Sequence, residues 1–193
     1  MNLKEYILSE TSMIGGWYIS SLICDDIITI FKANKQLQSR GSIGPSSARR
    51  IDSNVKECLQ LGIKPSCNDL SFVEYVKYLK VIIDLYTKKY PEVKQFQKFG
   101  IMETPQIQYY KPGQGFKLWH CERIAKNHQR CLVFMPFLND VPEGGTSFKY
   151  QNLTVPAEKG LTLIWPTDFT HTHKGQITKK HEKYILTGWM GYV

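Results

Sequence analysis

Hydrophobic residues recur at spacings of three and four through Leu22, Ile23, Ile27, Ile30 and Phe31, which predicts a helix over residues 22–34. A second stripe, Phe72, Val76, Leu79, Ile83, Tyr86 and Tyr90, predicts a longer helix from 70 to about 89. Ser71 and Glu74 have capping-box spacing at its start, and Pro91 stops it. Between the helices, residues 38–53 are rich in Ser, Gly and Arg and read as a mobile loop, placed to serve as a lid. Residues 55–61 add a candidate strand.

From Pro105 the texture changes to short strand-like runs divided by turn formers. Strands are predicted over 106–111, 116–122, 131–138, 146–150, 153–155, 161–165, 169–173 and 183–190. The breaks fall at Lys111-Pro112-Gly113-Gln114-Gly115, Asn139-Asp140, Pro142-Glu143-Gly144-Gly145 and Glu158-Lys159-Gly160. Many short, evenly spaced strands point to a sandwich or jelly-roll barrel. At 193 residues the chain reads as one domain, long enough for a core without staples. Its first hundred residues form a helical support region, and about 105–193 form the β core. No internal repeat or low-complexity tract interrupts it.

Composition narrows the class. No run of eighteen apolar residues exists, so no membrane-spanning helix is expected. Met1-Asn2-Leu3-Lys4-Glu5-Tyr6 lacks the pattern of a signal peptide, and a cytoplasmic protein is the expectation. The five cysteines, Cys24, Cys58, Cys67, Cys121 and Cys131, are odd in number and form no CxxC pair. Reduced thiols are expected rather than a disulfide framework or zinc ribbon. The net charge of +8 is scattered over separate pairs, Arg49-Arg50, Lys88-Lys89 and Lys179-Lys180. That pattern favours a solvated basic surface over a phosphate track, while remaining compatible with an acidic substrate or a nucleic acid.

The candidate chemistry lies in the last third. In a strand alternate side chains share a face, so His120 and Glu122 point the same way and Cys121 the other. A third ligand must come from a distant strand, and His171 and His173, two apart, both qualify. Two histidines and one carboxylate form the ligand set that leaves positions open on non-haem Fe(II). Lys183, ten residues beyond His173, can hold an anionic co-substrate. His128 and His181 lie in charged, loop-like stretches and are expected to be solvated.

These stretches together resemble the 2-oxoglutarate and Fe(II)-dependent oxygenases, most closely the prolyl 4-hydroxylase-like branch. The matching residues are Tyr109-Tyr110-Lys111-Pro112-Gly113, Phe137-Leu138-Asn139-Asp140-Val141, Glu143-Gly144-Gly145, Pro156-Ala157-Glu158-Lys159-Gly160, Leu163-Ile164-Trp165-Pro166, His173-Lys174-Gly175 and Lys183-Tyr184 running to Trp189. The resemblance covers about 105–193 well and 17–90 loosely. It implies an α+β, mainly β fold: a double-stranded β-helix (jelly-roll) core with N-terminal helices packed against it. It also implies Fe(II), 2-oxoglutarate as co-substrate and O₂, with ascorbate as an optional addition. The distal histidine of the family precedes a glycine by two residues and a basic residue by about ten, which selects His173 and leaves His171 beside the substrate pocket. No arginine follows Arg130, so the resemblance makes Lys183 the partner of the far 2-oxoglutarate carboxylate. Tyr110 falls where family members place a tyrosine in the active-site mouth. Lys183, Ile185, Thr187 and Trp189 share a strand face, which would bring Thr187 to the co-substrate and Trp189 to the substrate pocket.

The expected reaction is hydroxylation of a protein or peptide, with proline first, releasing succinate and CO₂. One departure stands out: the family uses His-x-Asp, and here the carboxylate is Glu122. That residue is the best support for an alternative reading, a non-catalytic metal-binding sensor or scaffold. A nucleic-acid-directed oxygenase of the same superfamily is disfavoured by the missing downstream arginines. The oligomeric state is not readable from the sequence.

Overall fold

The computed structural model of the protein describes residues 1–44, 50–64, 69–95 and 97–192. In chain order its main elements are β1 (Gly15–Tyr18), α1 (Ser21–Ala33), β2 (Ser39–Arg40), β3 (Leu59–Gly62), α2 (Leu70–Lys89), β4 (Phe99–Ile101), β5 (Gln106–Tyr110), β6 (Arg130–Pro136), β7 (Val141–Phe148), β8 (Leu153–Ala157), β9 (Leu161–Pro166), β10 (His173–Gly175) and β11 (Lys183–Tyr192). The major sheet runs β1-β9-β6-β11-β5-β3-β2, with β4 pairing the far end of β11 beyond β5. A minor sheet, β10-β7-β8, faces it. The ladders within these sheets are antiparallel. This is the two-layered, mainly β jelly roll that the strand pattern predicts, with two helices on its outside.

Strand parity sorts the core into two layers. From Cys131 onwards β6 is an unbroken apolar run because both of its faces are buried. Leu132 and Phe134 face the helices, whereas Val133 and Met135 face the space between the sheets. The helix-side layer joins Ile23, Ile27 and Phe31 of α1 and Phe72, Leu79 and Tyr86 of α2 to Ile107, Ile164, Leu186 and Met190 of the sheet. The inter-sheet layer joins Leu163 and Trp165 of β9 to Phe148 and Val155 of the minor sheet. Neither layer closes without the N-terminal hundred residues, which supply β1 to β4 as well as the helices. The division into helical support and β core is therefore less sharp than the sequence pattern implies.

Several local expectations change. The α2 bounds agree, but its cap is Asp69, whose carboxylate accepts from the amides of Ser71 and Phe72, rather than a Ser71–Glu74 box. Its buried stripe runs through Tyr75 and Ile82, leaving Val76 exposed; in α1, Leu22 is exposed and Cys24 is buried instead. The predicted strand 55–61 begins its ladder only at Leu59. The predicted turn at Pro142–Gly145 lies inside β7 as a register shift between Val141 and Thr146, with Glu143 at φ 58°. A Cβ on Gly145 would stand 2.2 Å from the Val155 carbonyl oxygen, so only glycine lets the strands approach so closely there. Residues 169–173 are not a strand: Phe169–His171 is a turn of 3₁₀ helix, and β10 starts at His173. Nor are 116–122, which are irregular apart from single bridges at Phe116 and His120.

Within the 38–53 loop, β2 pairs with β3 and Ile43 bridges Arg50; residues 45–49 of that loop lie outside the described residues. Cys24, Cys58 and Cys131 are buried free thiols, Cys121 is half-buried, and Cys67 lies outside the described residues. Burial pushes Cys24 up to about 12 and Cys131 up to about 11, so both stay protonated and unreactive. His128 and His181 are exposed. No helix among the described residues is long and apolar enough to cross a membrane.

Candidate metal and co-substrate site

The irregular segment before β6 is held in place by its own backbone. The His120 amide donates to the His173 carbonyl at 3.0 Å, and the His173 amide returns the bond to His120 at 2.8 Å. The Glu122 amide donates to the Thr167 carbonyl at 3.0 Å. Two histidines and a carboxylate thus meet without a regular strand under the first pair.

Their side chains converge. Nδ1 of His120 donates to the Leu118 carbonyl at 3.0 Å, and Nδ1 of His173 to the His171 carbonyl at 2.9 Å. Each bond fixes the tautomer and leaves Nε2 free to bind a metal. The two Nε2 atoms lie 3.5 and 3.6 Å from Glu122 Oε1, and the three donor residues have ligand atoms within 4.8 Å of one another. Separations of 3.5 and 3.6 Å are shorter than two metal–ligand bonds of about 2 Å laid end to end, so one ion fits among the donors. Burial pushes the Glu122 carboxyl up, but hydrogen bonds and charge from His120 and His173 outweigh it and hold the pKa well below the usual range. The donor set is that of an Fe(II) site with open positions.

The other oxygen of Glu122 is also engaged. Oε2 accepts from Trp189 Nε1 at 3.0 Å and from Arg130 Nη1 at 3.3 Å. Arg130 lies 3.9 Å over the Trp189 ring and forms a bidentate pair with Glu103. Sequence reasoning missed Arg130 and Glu103. Neither sits at a telling spacing, and Arg130 entered only as the last arginine of the chain. Aromatic rings pack the imidazoles: Phe116 stacks on His120 at 3.6 Å between centroids, and Trp165 meets His173 edge-on at 5.0 Å.

A cavity of about 620 Å³ runs from these donors to Lys183. The Lys183 ammonium is buried, donates to the carbonyls of Gln176 at 2.9 Å and Gly144 at 3.1 Å, and stands 5.3 Å from the Tyr110 ring. Burial brings its pKa down to about 8, and no carboxylate among the described residues lies within ion-pair distance. A buried cation in this state fits one end of a dicarboxylate such as 2-oxoglutarate. Tyr110, Thr187 and Trp189 line the same cavity, and the Tyr110 hydroxyl donates to Gln108.

His171 does not line it. Its Nε2 donates to the Ser12 carbonyl at 3.0 Å and its Nδ1 meets Thr170 Oγ1, because the 3₁₀ turn rotates it away from His173. It ties the N-terminal segment to the β core and is corrected from the substrate pocket. Burial lowers its pKa, which suits a neutral ring.

Residues 105–191 match the family model of the 2OG-Fe(II) oxygenase superfamily. No curated protein sequence matches the chain. Among solved structures, the viral collagen prolyl hydroxylase of Paramecium Bursaria Chlorella virus-1, in its 2OG complex, superposes with a TM-score of 0.68 at 18% identity, over 94% of this chain and 97% of that one. A Pseudomonas putida prolyl-4-hydroxylase gives 0.66 at 14% identity, over 94% and 93%. A Trichoplax adhaerens prolyl hydroxylase, in complex with a hypoxia inducible factor oxygen degradation domain peptide fragment, gives 0.70 at 14%, over 94% and 84%. At such identities the superpositions establish the fold, while the family match covers the stretch that carries His120, Glu122, His173 and Lys183. Residues 105–191 are thus similar to the 2OG-Fe(II) oxygenase superfamily, and the chain as a whole has the fold of the prolyl hydroxylases.

Proposed function

We propose that this protein is a 2-oxoglutarate-dependent dioxygenase that hydroxylates a peptide or protein substrate at proline, converting 2-oxoglutarate and O₂ to succinate and CO₂. The observation that carries the reading is the content of one cavity: three convergent metal donors and a buried ammonium with no counter-ion among the described residues. His120 and His173, through Nε2, and Glu122, through Oε1, hold Fe(II). Lys183 takes the far carboxylate of the co-substrate. Once bound, the metal and 2-oxoglutarate together supply O₂ activation and the hydroxylation of a C–H bond.

The chain supplies position and dryness. The two Nδ1 bonds orient the imidazoles. Trp189 and Arg130 occupy Glu122 Oε2, so the longer glutamate presents one oxygen, as an aspartate ligand would. Phe116 and Trp165 shield the histidine rings. The exposed Leu118, Trp119 and Ile124 at the cavity rim offer apolar surface to an extended peptide. Support for a peptide comes from the Trichoplax prolyl hydroxylase, whose structure holds one.

An anaerobic titration with Fe(II) and then 2-oxoglutarate tests the core of the reading. The weak visible absorption of a metal-bound 2-oxo acid is expected in the wild type and absent in Lys183→Met at the same co-substrate concentration. No absorption in the wild type would sink the assignment of the site. Succinate release stimulated by a proline-containing peptide tests the substrate, and a band without any such stimulation would remove proline while leaving the dioxygenase.

A further inference from the structure

The cavity is lined by a second lysine that the reaction above leaves unused. Lys56 lies in the extended stretch before β3 and is 8% exposed. Its backbone bridges Phe116, the residue whose ring stacks on His120. Lys56, Cys58 and Gln60 alternate along the chain and are all buried, and Lys56 and Gln60 line the same cavity as the metal donors and Lys183. The acid next to it is engaged elsewhere: Glu57 pairs with Lys117 at 3.1 Å and accepts from Gln114. Among the described residues no carboxylate lies within 4.0 Å of the Lys56 ammonium. The residues outside the description add no Asp or Glu that could serve.

Charge balance says what is missing. The cavity lining carries three cations, Lys56, Arg130 and Lys183, and two carboxylates, Glu103 and Glu122. Fe(II) and the 2-oxoglutarate dianion cancel one another, so the loaded cavity keeps one positive charge in excess. Arg130 has Glu103, and Lys183 has the co-substrate, which leaves Lys56. A lysine that lines a cavity with no carboxylate of the described residues beside it leaves that cavity positive, and an anion that enters is attracted to it. We infer that Lys56 is an anion subsite that receives a carboxylate of the substrate, so that the substrate class is acidic. This rests on the dioxygenase reading, which assigns Lys183 and Glu122 their partners. The same chemistry has a second source, the co-substrate itself, and the experiment separates the two.

The protein is loaded with Zn(II), a diamagnetic stand-in for iron, and 2-oxoglutarate, then titrated with acetate while amide resonances are followed by NMR. Saturable shifts at the Lys56 and Phe116 amides are expected, lost in Lys56→Met and in Lys56→Gln and kept in Lys56→Arg. Calorimetry of 2-oxoglutarate on Lys56→Met is expected to match the wild type within about threefold. Absence of a saturable shift in the wild type, or its persistence in both neutral variants, overturns the subsite. A loss of more than about tenfold in 2-oxoglutarate affinity in Lys56→Met overturns it too, by assigning Lys56 to the co-substrate. If the wild type takes up neither Zn(II) nor 2-oxoglutarate, the dioxygenase reading fails by itself. Acetate titration of Lys183→Met, with and without Lys56→Met, then still decides whether Lys56 binds a carboxylate.

Discussion

The two faces of the major sheet are made by the same strands and follow different rules. Towards the helices β11 presents Tyr184, Leu186 and Met190, each packed in a continuous apolar layer. Towards the minor sheet it presents Lys183, Thr187 and Trp189, with Ile185 buried in the apolar layer and Trp189 packed at its edge. The helix face meets its needs from within the chain. The inner face holds buried groups, Lys56 and Lys183 among them, whose charge no carboxylate of the described protein balances. Parity thus divides stability from chemistry within one strand, and a slip of one residue would exchange them.

The most severe test of that division is on the inner face. His173→Ala removes one of three donors and is expected to abolish stoichiometric Fe(II) binding, measured as metal retained after gel filtration. Retained iron would place the third ligand elsewhere. The matching change on the outer face is Leu186→Ala, where Leu186 is fully buried against the helices. It is expected to reduce stability by about 2–5 kcal/mol in denaturant unfolding. Metal and 2-oxoglutarate affinity of the folded fraction should stay at wild-type level. A tenfold change in either would mean that the two faces are not independent.

This division explains what could be read from the chain. The bounds of α2 and the positions of β6, β9 and β11 were legible because long apolar runs or alternation decide them. His120, Glu122, His173 and Lys183 were legible because their order and spacing match a known pattern, although the strand assumed under His120 and Glu122 does not exist. Their convergence comes from the paired amides of His120 and His173, a long-range contact with no local signal. β1, β2 and β4 were missed because two to four residues are too few to show a period. The β7 shift was read as a turn because Pro142, Gly144 and Gly145 serve a bulge equally well. The α2 stripe slipped by one residue at Tyr75 and Ile82 because tyrosines and branched residues border both candidate faces.

A milder change sharpens the boundary at the metal itself. Trp189→Phe keeps a ring beneath Arg130 but removes the indole donor to Glu122 Oε2. Partners that orient a ligand without touching the metal are worth about 10- to 100-fold in affinity, and the lower end is expected here because Arg130 remains. Mn(II) titration followed by electron paramagnetic resonance reads this directly. Unchanged affinity would show that Glu122 holds its orientation without the tryptophan.

A further effect is graded by pH, vanishes below about pH 8 for co-substrate binding, and concerns Lys183. Burial takes its pKa from an ordinary 10.5 down to about 8 in the free protein. The group facing it, Tyr110, is pushed far above its usual range by burial and stays a neutral phenol, so it supplies no counter-charge. Below about pH 8 the ammonium is already charged and the dianion binds without proton uptake. Above it each 2-oxoglutarate must bring a proton with it, and affinity should fall about tenfold per pH unit. Stability carries the opposite sign. The unfolded chain holds this proton more tightly, so the penalty of about 3 kcal/mol is complete below pH 8 and fades as pH rises towards 10.5. Lys183→Met should therefore make the free protein more stable at neutral pH while removing both slopes. A wild-type 2-oxoglutarate affinity that stays flat between about pH 7 and 9.5 would mean that this ammonium is not the group that meets the co-substrate.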